Sequence, residues 1–278
     1  MNQSIEHWIS DQIDDDMRLY KDLTMNVEVV ATDLGSLPDG GFEEQTPIFR
    51  ADQNFLDRQI SGAHGYQDLS FNNKLAFQVD GVISRVESER LIALTEGLGF
   101  RRAAPGIQTP PGMRQNTTVH WMAHPRDAEV LFSRIEAFIP PVIEGRQSMG
   151  ALSHRFNTYR YTVGQEFKPH LDGDWPGFAV NKKTQNLEYW KTGRSMLSML
   201  LYLNGEQEGV VGGDTLLLDG QTVVCRVKPC CGRALFFRHG IHDRSVLHAG
   251  DVLHDGAPKY VIRVNVMYQS GPAGSGQS

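Results

Sequence analysis

Apolar positions change period partway along this chain, from about 3.6 residues to 2. Near the start, Ile5, Trp8, Ile9, Ile13, Met17 and Tyr20 recur at helical spacing and predict an amphipathic helix over 3–23, with Asp14, Asp15 and Asp16 on its solvated side. Residues 33–73 are rich in Gly, Asp, Asn and Gln and predict loop with short helical pieces, wrapped on the main domain. LAFQVDGVI, from Leu75, reads as a strand running into a turn. Ser84 then stands as an N-cap with Glu87 three residues on, a capping box. It opens a helix carrying Val86, Leu91, Ile92 and Leu94 that ends near Gly97 or Gly99. APGIQTPPG (104–112) is a Pro/Gly loop, and NTTVHWM (116–122) alternates like a strand. A second helix, from about Arg126 to Phe138, is stopped by Pro140 and Pro141.

Beyond residue 150 the helical period disappears. RFNTYRY (155–161), MLSMLLYL (196–203), DTLLL (214–218), TVVCRV (222–227), RALFF (233–237) and YVIRVNVMY (260–268) are strand-like runs separated by turn residues. Many short strands with Gly, Asn and Asp turns predict a β-sandwich or jelly roll. The class is therefore α+β with a mainly β core, flanked by N-terminal helices. The division is a helical or irregular extension over 1–73, a domain over 74–270, and a flexible tail over 271–278.

Composition narrows this little. Of 278 residues, 40% are hydrophobic and 22% charged, the balance of a globular chain. The formal net charge of −6 supplies no field for nucleic acid or anionic lipid, so neither is expected as a partner. No apolar run approaches a membrane span, and the first residues lack the pattern of a secretory signal. Cys225, Cys230 and Cys231 form neither a disulfide framework nor a zinc spacing. Reduced thiols and a cytoplasmic location are the expectation.

The chemistry concentrates in HLDGDW. His170 and Asp172 stand two apart, so on a strand or at its end they share a face. An imidazole and a carboxylate make two corners of a 2-His-1-carboxylate site, the arrangement that leaves positions open on non-haem Fe(II). His239, His242, His248 and His254 are candidates for the third corner. His248 is favoured because the run SVLHAG delivers it just before a glycine. In the strand that follows, Arg263 and Asn265 share a face with Val261 and Met267, and an embedded cation needs an anion. A dicarboxylate co-substrate would supply one.

Taken in order, FKPHLDG, SMLSMLLYLN, GGDTLLL, VKPCCGRALFF, VLHAG and KYVIRVNVMY resemble the Fe(II)/2-oxoglutarate-dependent oxygenases of the prolyl 4-hydroxylase-like type. The likeness extends over roughly residues 74 to 269 and implies a double-stranded β-helix. It implies that His170, Asp172 and His248 bind Fe(II), that Arg263 grips the distal carboxylate of 2-oxoglutarate, and that Tyr161 lines the co-substrate pocket. Collagen-type members carry Lys at the gripping position. In some relatives a tyrosine on the LLYLN strand adds a contact. The matching position here is Leu201, with Tyr202 turned away from the iron into the core. The resemblance further implies dioxygen as co-substrate, supportive ascorbate, and hydroxylation, because Asp172 is retained where related halogenases lack the carboxylate.

Substrate-side candidates are Arg160, Trp175, Arg194, Arg114 and Asn116. Arg238 is also placed near the barrel mouth. The aromatic-rich segment between Asp172 and Ser195 is expected to act as a lid. A peptide and a small molecule both remain open as substrate. The competing readings are a cupin-like metal-binding or sensor module and a zinc hydrolase on the same ligands.

Overall fold

The computed structural model describes residues 27–39, 44–59, 65–106, 109–181 and 183–270. The expected helix over 3–23 and the tail over 271–278 lie outside the described residues. The chain opens with an antiparallel pair, β1 (Val27–Ser36) and β2 (Glu44–Ala51), then β3 (Tyr66–Asp68) and β4 (Ala76–Val79). Helix α1 (Arg85–Leu98), β5 (Ala104–Pro105), β6 (Thr117–Met122) and helix α2 (Pro125–Ile135) follow. Next come β7 (Val142–Ile143), β8 (Arg146–Leu152), β9 (Arg155–Tyr161), β10 (Phe167–His170), β11 (Pro176–Val180) and β12 (Leu187–Tyr202). The chain closes with β13 (Val210–Gly212), β14 (Thr215–Asp219), β15 (Thr222–Val227), β16 (Ala234–Arg238), β17 (Leu247–Gly250), β18 (Leu253–Gly256) and β19 (Lys259–Gln269).

Two sheets face one another. The larger has the order β3-β4-β16-β12-β19-β9-β6-β2-β1-β5, and the smaller the order β10-β17-β14-β15. Alternation decides what each face does. On β12, Leu197, Met199 and Leu201 pack with Leu91, Leu94, Leu131 and Ile135 of the two helices. Leu200 and Tyr202 face the other way, into a cluster with Phe237 of β16, Phe167 of β10, Leu217 of β14 and Val227 of β15. The second cluster fills the space between the sheets, in the double-stranded β-helix that the resemblance implied.

The capping box at α1 forms as expected. Ser84 Oγ accepts from Glu87 N at 3.2 Å, and Glu87 Oε2 accepts from Ser84 N at 2.8 Å. The same Glu87 has no exposed surface, and Arg134 of α2 pairs with it at 2.7 Å. Burial alone would raise the Glu87 carboxyl, but the Arg134 hydrogen bonds and the backbone donors of Ser84 and Asp57 hold it below its ordinary value.

The expectation for residues 33–73 needs correction: the regular elements among its described residues are strands, not helical pieces. β1 and β2 are strands, and β2 pairs in parallel with β6 through Ile48–His120, Phe49–Trp121 and Arg50–Met122. Their polar composition hid strands with buried apolar positions, and β2 buries Phe49 on one face and Ile48 on the other. The segment before Ser195, expected to act as a lid, is an ordered part of the sheet. It folds as the β11–β12 hairpin, with Phe178 opposite Tyr189 and Pro176 opposite Arg194, and it continues the larger sheet.

Candidate metal centre and adjoining cavities

β10 and β17 pair antiparallel with His170 directly opposite His248. The strand ends at His170, and Asp172 follows in the next turn, where its carbonyl accepts from Gly240 N at 2.8 Å. The three side chains thus converge by cross-strand register and a strand-end turn. Their ligand atoms all lie within 4.8 Å of one another. His170 Nε2 stands 3.9 Å from Asp172 Oδ1, and His248 Nε2 stands 3.9 Å from Asp172 Oδ2.

The second nitrogen of each imidazole is already committed. His170 Nδ1 lies 2.7 Å from the Lys168 carbonyl, and His248 Nδ1 lies 3.2 Å from that of Val246. A carbonyl can only accept, so each Nδ1 carries its proton and each Nε2 presents a lone pair to the centre. Burial, then the neighbouring His248, lowers His170 to about 3. Burial also lowers His248. Both are neutral, the state that ligates. Phe167 stacks on His170 at 3.7 Å and Phe237 packs on His248 at 4.3 Å, fixing the ring planes.

Asp172 is held from behind. Ser198 Oγ donates to its Oδ2 at 2.6 Å and Arg263 Nε donates to the same oxygen at 2.9 Å. Burial alone would raise this carboxyl; the Arg263 charge, then His248 and His170, outweigh it and keep Asp172 ionised. The chain of bonds continues inward. His239 Nδ1 lies 2.9 Å from Ser198 Oγ, its Nε2 lies 2.8 Å from Ser195 Oγ, and Ser195 Oγ accepts from Trp175 N at 2.8 Å. Because Ser198 gives its proton to Asp172, His239 Nδ1 is the donor to Ser198, and Nε2 accepts from Ser195. Burial, with Arg263 nearby, lowers His239 to about 3, so this relay is neutral. His239, one of the alternatives for the third ligand, therefore serves as a buttress.

A small cavity of about 30 Å³ adjoins His170, Asp172 and His248 and is lined also by Tyr161, Thr215, Lys259 and Arg263. Lys259 is 1% exposed; its Nζ donates to the Gly213 carbonyl at 2.7 Å and lies 4.2 Å from the Tyr161 ring centre. Burial lowers it to about 8, against the opposing pull of Asp214 and Asp251. Tyr161 reaches this cavity because Gly250 faces it: a Cβ there would sit 3.2 Å from the Tyr161 hydroxyl. A second small cavity, about 20 Å³, lies beside the first and shares Arg263 with it.

The structure distributes the remaining candidates unevenly. Trp175 and Asn265 line the second cavity and not the one that holds the ligands. Arg160 points to the opposite face of β9, pairing with Glu96 at 3.0 Å over the Phe100 ring. Arg194 pairs with Asp174 at 2.7 Å on the surface, and Arg238 pairs with Glu144 at 3.1 Å. Arg114 is buried and donates to the carbonyls of Asn116 and Arg102; Asn116 is fully buried, and neither residue lines the two cavities. Leu201 faces the helices, whereas Tyr202 faces the same interior as Leu200 and donates to Thr215 Oγ1 at 2.6 Å. Tyr202 is core, as expected, although it shares the Ser198 and Leu200 side of β12.

Lys259, Ser198, Arg155 and Asn157 were missed by sequence reasoning. Parity would have found most of them. Arg155, Asn157, Tyr159 and Tyr161 share one face of β9, and Lys259 shares with Arg263 one face of β19.

Such a centre, held between the sheets of a double-stranded β-helix with a buried cation beside it, defines a metal-dependent oxygenase site. Residues 156–267, which run from β9 into β19 and include every residue of the centre, match the family model of the 2OG-Fe(II) oxygenase superfamily. Among solved structures the chain is similar to a viral collagen prolyl hydroxylase of Paramecium Bursaria Chlorella virus-1 in its 2OG complex. That similarity has 20% identity, 69% of this chain and 95% of that one covered, and a TM-score of 0.44. It is also similar to a Pseudomonas putida prolyl-4-hydroxylase, at 17% identity, 75% and 94% covered, and a TM-score of 0.42. A prolyl hydroxylase of Trichoplax adhaerens, in complex with a hypoxia inducible factor peptide fragment, gives 16% identity, 70% and 83% covered, and a TM-score of 0.47. No curated protein matches the sequence.

Proposed function

We propose that the protein is a hydroxylase in which His170, Asp172 and His248 hold Fe(II), acting on a C–H bond of a small molecule or peptide. The observation that carries this reading is the convergence of two neutral imidazoles, their Nδ1 atoms tied to carbonyls, on an ionised carboxylate beside a cavity that ends in a buried lysine. Bound there, Fe(II) would couple the oxidative decarboxylation of 2-oxoglutarate by dioxygen to hydroxylation, one oxygen atom going to succinate and one to the product.

The residues divide the work. Arg263 bonds Asp172 itself and therefore sits at the metal end of its strand. A keto-diacid chelating the metal places its far carboxylate away from the ligands. Lys259, four residues along the same face and roughly 13 Å from Arg263 along the strand, suits that carboxylate better. We accordingly assign the distal grip to Lys259, with Tyr161 and Thr215 beside it, and the orientation of Asp172 to Arg263. Burial of the lysine in apolar surroundings strengthens its pairing with an arriving anion.

The test is succinate formation and oxygen uptake with Fe(II), 2-oxoglutarate and ascorbate, across amino acids, prolyl peptides and metabolites. Asp172→Ala should reduce coupled turnover at least about 100-fold. Full activity of that variant, or iron binding without any 2-oxoglutarate binding, would overturn the assignment.

A further inference from the structure

The second cavity has a chemistry that the metal centre does not use. Arg155 and Asn157 enter it from β9, Arg263 and Asn265 from β19, and Trp175 and Phe178 from the hairpin. Asn157 and Arg263 are cross-strand partners, and Arg263 carries the contact through to Asp172. The cavity therefore abuts the metal site directly.

Its polar groups are left incomplete. The Arg155 guanidinium lies 5.1 Å from the Phe178 ring centre, and its Nη2 bonds the Pro105 carbonyl at 2.9 Å and His120 Nδ1 at 2.8 Å. His120 is fully buried and neutral, held well below its ordinary value by burial and then by Arg155 itself. Among the described residues Arg155 forms no ion pair; Asp33 acts on it only at longer range. Arg263 is 6% exposed and Asn265 9%. Arg263 Nη2, Arg155 Nε, and the Oδ1 atoms of Asn157 and Asn265 have no hydrogen-bond partner among the described residues.

A buried cation without an anion is unfavourable, and so is each orphaned donor or acceptor. A single ligand group can relieve all of them. Arg263 is already paired with Asp172, and the Arg155 guanidinium beside it calls for a carboxylate, whose two oxygens match the fork of arginine. Two amide oxygens beside it call for an N–H or O–H donor. The backbone of a residue inside a peptide offers amide groups but no charge, so a peptide such as a prolyl one, with no acidic side chain, would bring Arg155 no facing carboxylate.

We propose, resting on the oxygenase reading above, that this cavity receives the carboxylate of a small substrate with an adjacent N–H or O–H group, so that the molecule hydroxylated is a free α-amino or α-hydroxy acid and not a residue within a peptide. Trp175 and Phe178 wall the acid, and Arg263 serves both it and Asp172.

The experiment uses Zn(II)-loaded full-length protein, which cannot turn over. 2-Oxoglutarate is titrated first, then the common free amino acids, the corresponding α-hydroxy acids, their carboxamides, and prolyl peptides, by calorimetry. At least one free acid should bind, and its carboxamide should bind at least about 100-fold more weakly. Arg155→Met should shrink that preference to less than about 10-fold, and Arg155→Lys should restore part of it. With Fe(II), the acid that binds should be the one that raises succinate formation. Binding of peptides with no free acid bound, no binding by any free acid, or an undiminished preference in R155M would each overturn the proposal. Failure of the Zn(II)-loaded wild type to bind 2-oxoglutarate would instead overturn the oxygenase reading, and the proposal with it.

Discussion

The smallest unit that matters is one carboxylate oxygen, Asp172 Oδ2, which receives both Ser198 Oγ and Arg263 Nε. Two donors on one oxygen fix the carboxylate rotamer before metal arrives. Ser198→Ala removes the nearer donor and breaks the relay to His239, and it should weaken metal affinity about 10–100-fold in competitive Zn(II) titration. An unchanged affinity would make the relay a packing feature only. Lys259 yields a second prediction at this scale. Lys259→Met should raise the half-saturating 2-oxoglutarate concentration about 100-fold while metal affinity holds. The wild-type affinity should show a pH limb set by this residue, with Asp214, Asp251 and the Tyr161 ring as its charged and polar surroundings. Its protonated form grips a carboxylate, and its value lies at about 8, so 2-oxoglutarate binding should weaken as pH rises through that region. Affinity that stays flat to pH 10 would point to another anchor. These residues were half legible. HxD and VLHAG announced the ligands, but Arg263 drew attention away from Lys259 because both cations lie on one face and the sequence carries no depth coordinate.

At the scale of elements, Glu87 joins three of them. It caps α1, pairs with Arg134 of α2, and accepts from Asp57 N at 2.7 Å. Glu87→Ala leaves Arg134 buried and unpaired and should cost about 3–5 kcal/mol of unfolding free energy, read by urea denaturation. The folded carboxyl is depressed, so its stabilisation is complete above the ordinary value of 4.5 and is lost as pH falls through the lower folded value. Glu87→Gln should therefore flatten the acid limb of stability; an acid limb as steep as that of wild type would refute the link. Both helices and most core strands were legible because period and caps are local properties. The strands β1 and β2 were not, since a half-buried strand of mixed composition is recognised only by what it packs against. The same holds for the β11–β12 hairpin. Arg160 was misjudged for the opposite reason: the alternation of RFNTYRY was visible, but its inward side was marked by Tyr161, one position away and hence on the other face.

For the whole molecule, the centre joins β10 and β17 of the smaller sheet to β19 and β12 of the larger through Asp172. Metal bound there would tie the two sheets together and so favour the folded state. Addition of metal at about 100 times its dissociation constant should stabilise the fold by about 2.7 kcal/mol, and chelation should reverse this, as read by thermal melting. A melting curve indifferent to chelator and metal would deny the centre. Among the described residues no helix is long and apolar enough to cross a membrane.

Local chemistry, written into the order of residues, was enough to establish strands and helices, the His-x-Asp pair, and a buried arginine in the final strand. Periodicity and ligand spacing depend on neighbours in the chain, which is why they can be read there. Which cation reaches which cavity, that Ser198 and His239 stand behind Asp172, and that Arg155 lies buried without an acid partner were decided by the packing of sheet on sheet. Those contacts join residues up to a hundred positions apart, and their distances follow from register and burial that no short stretch of sequence encodes.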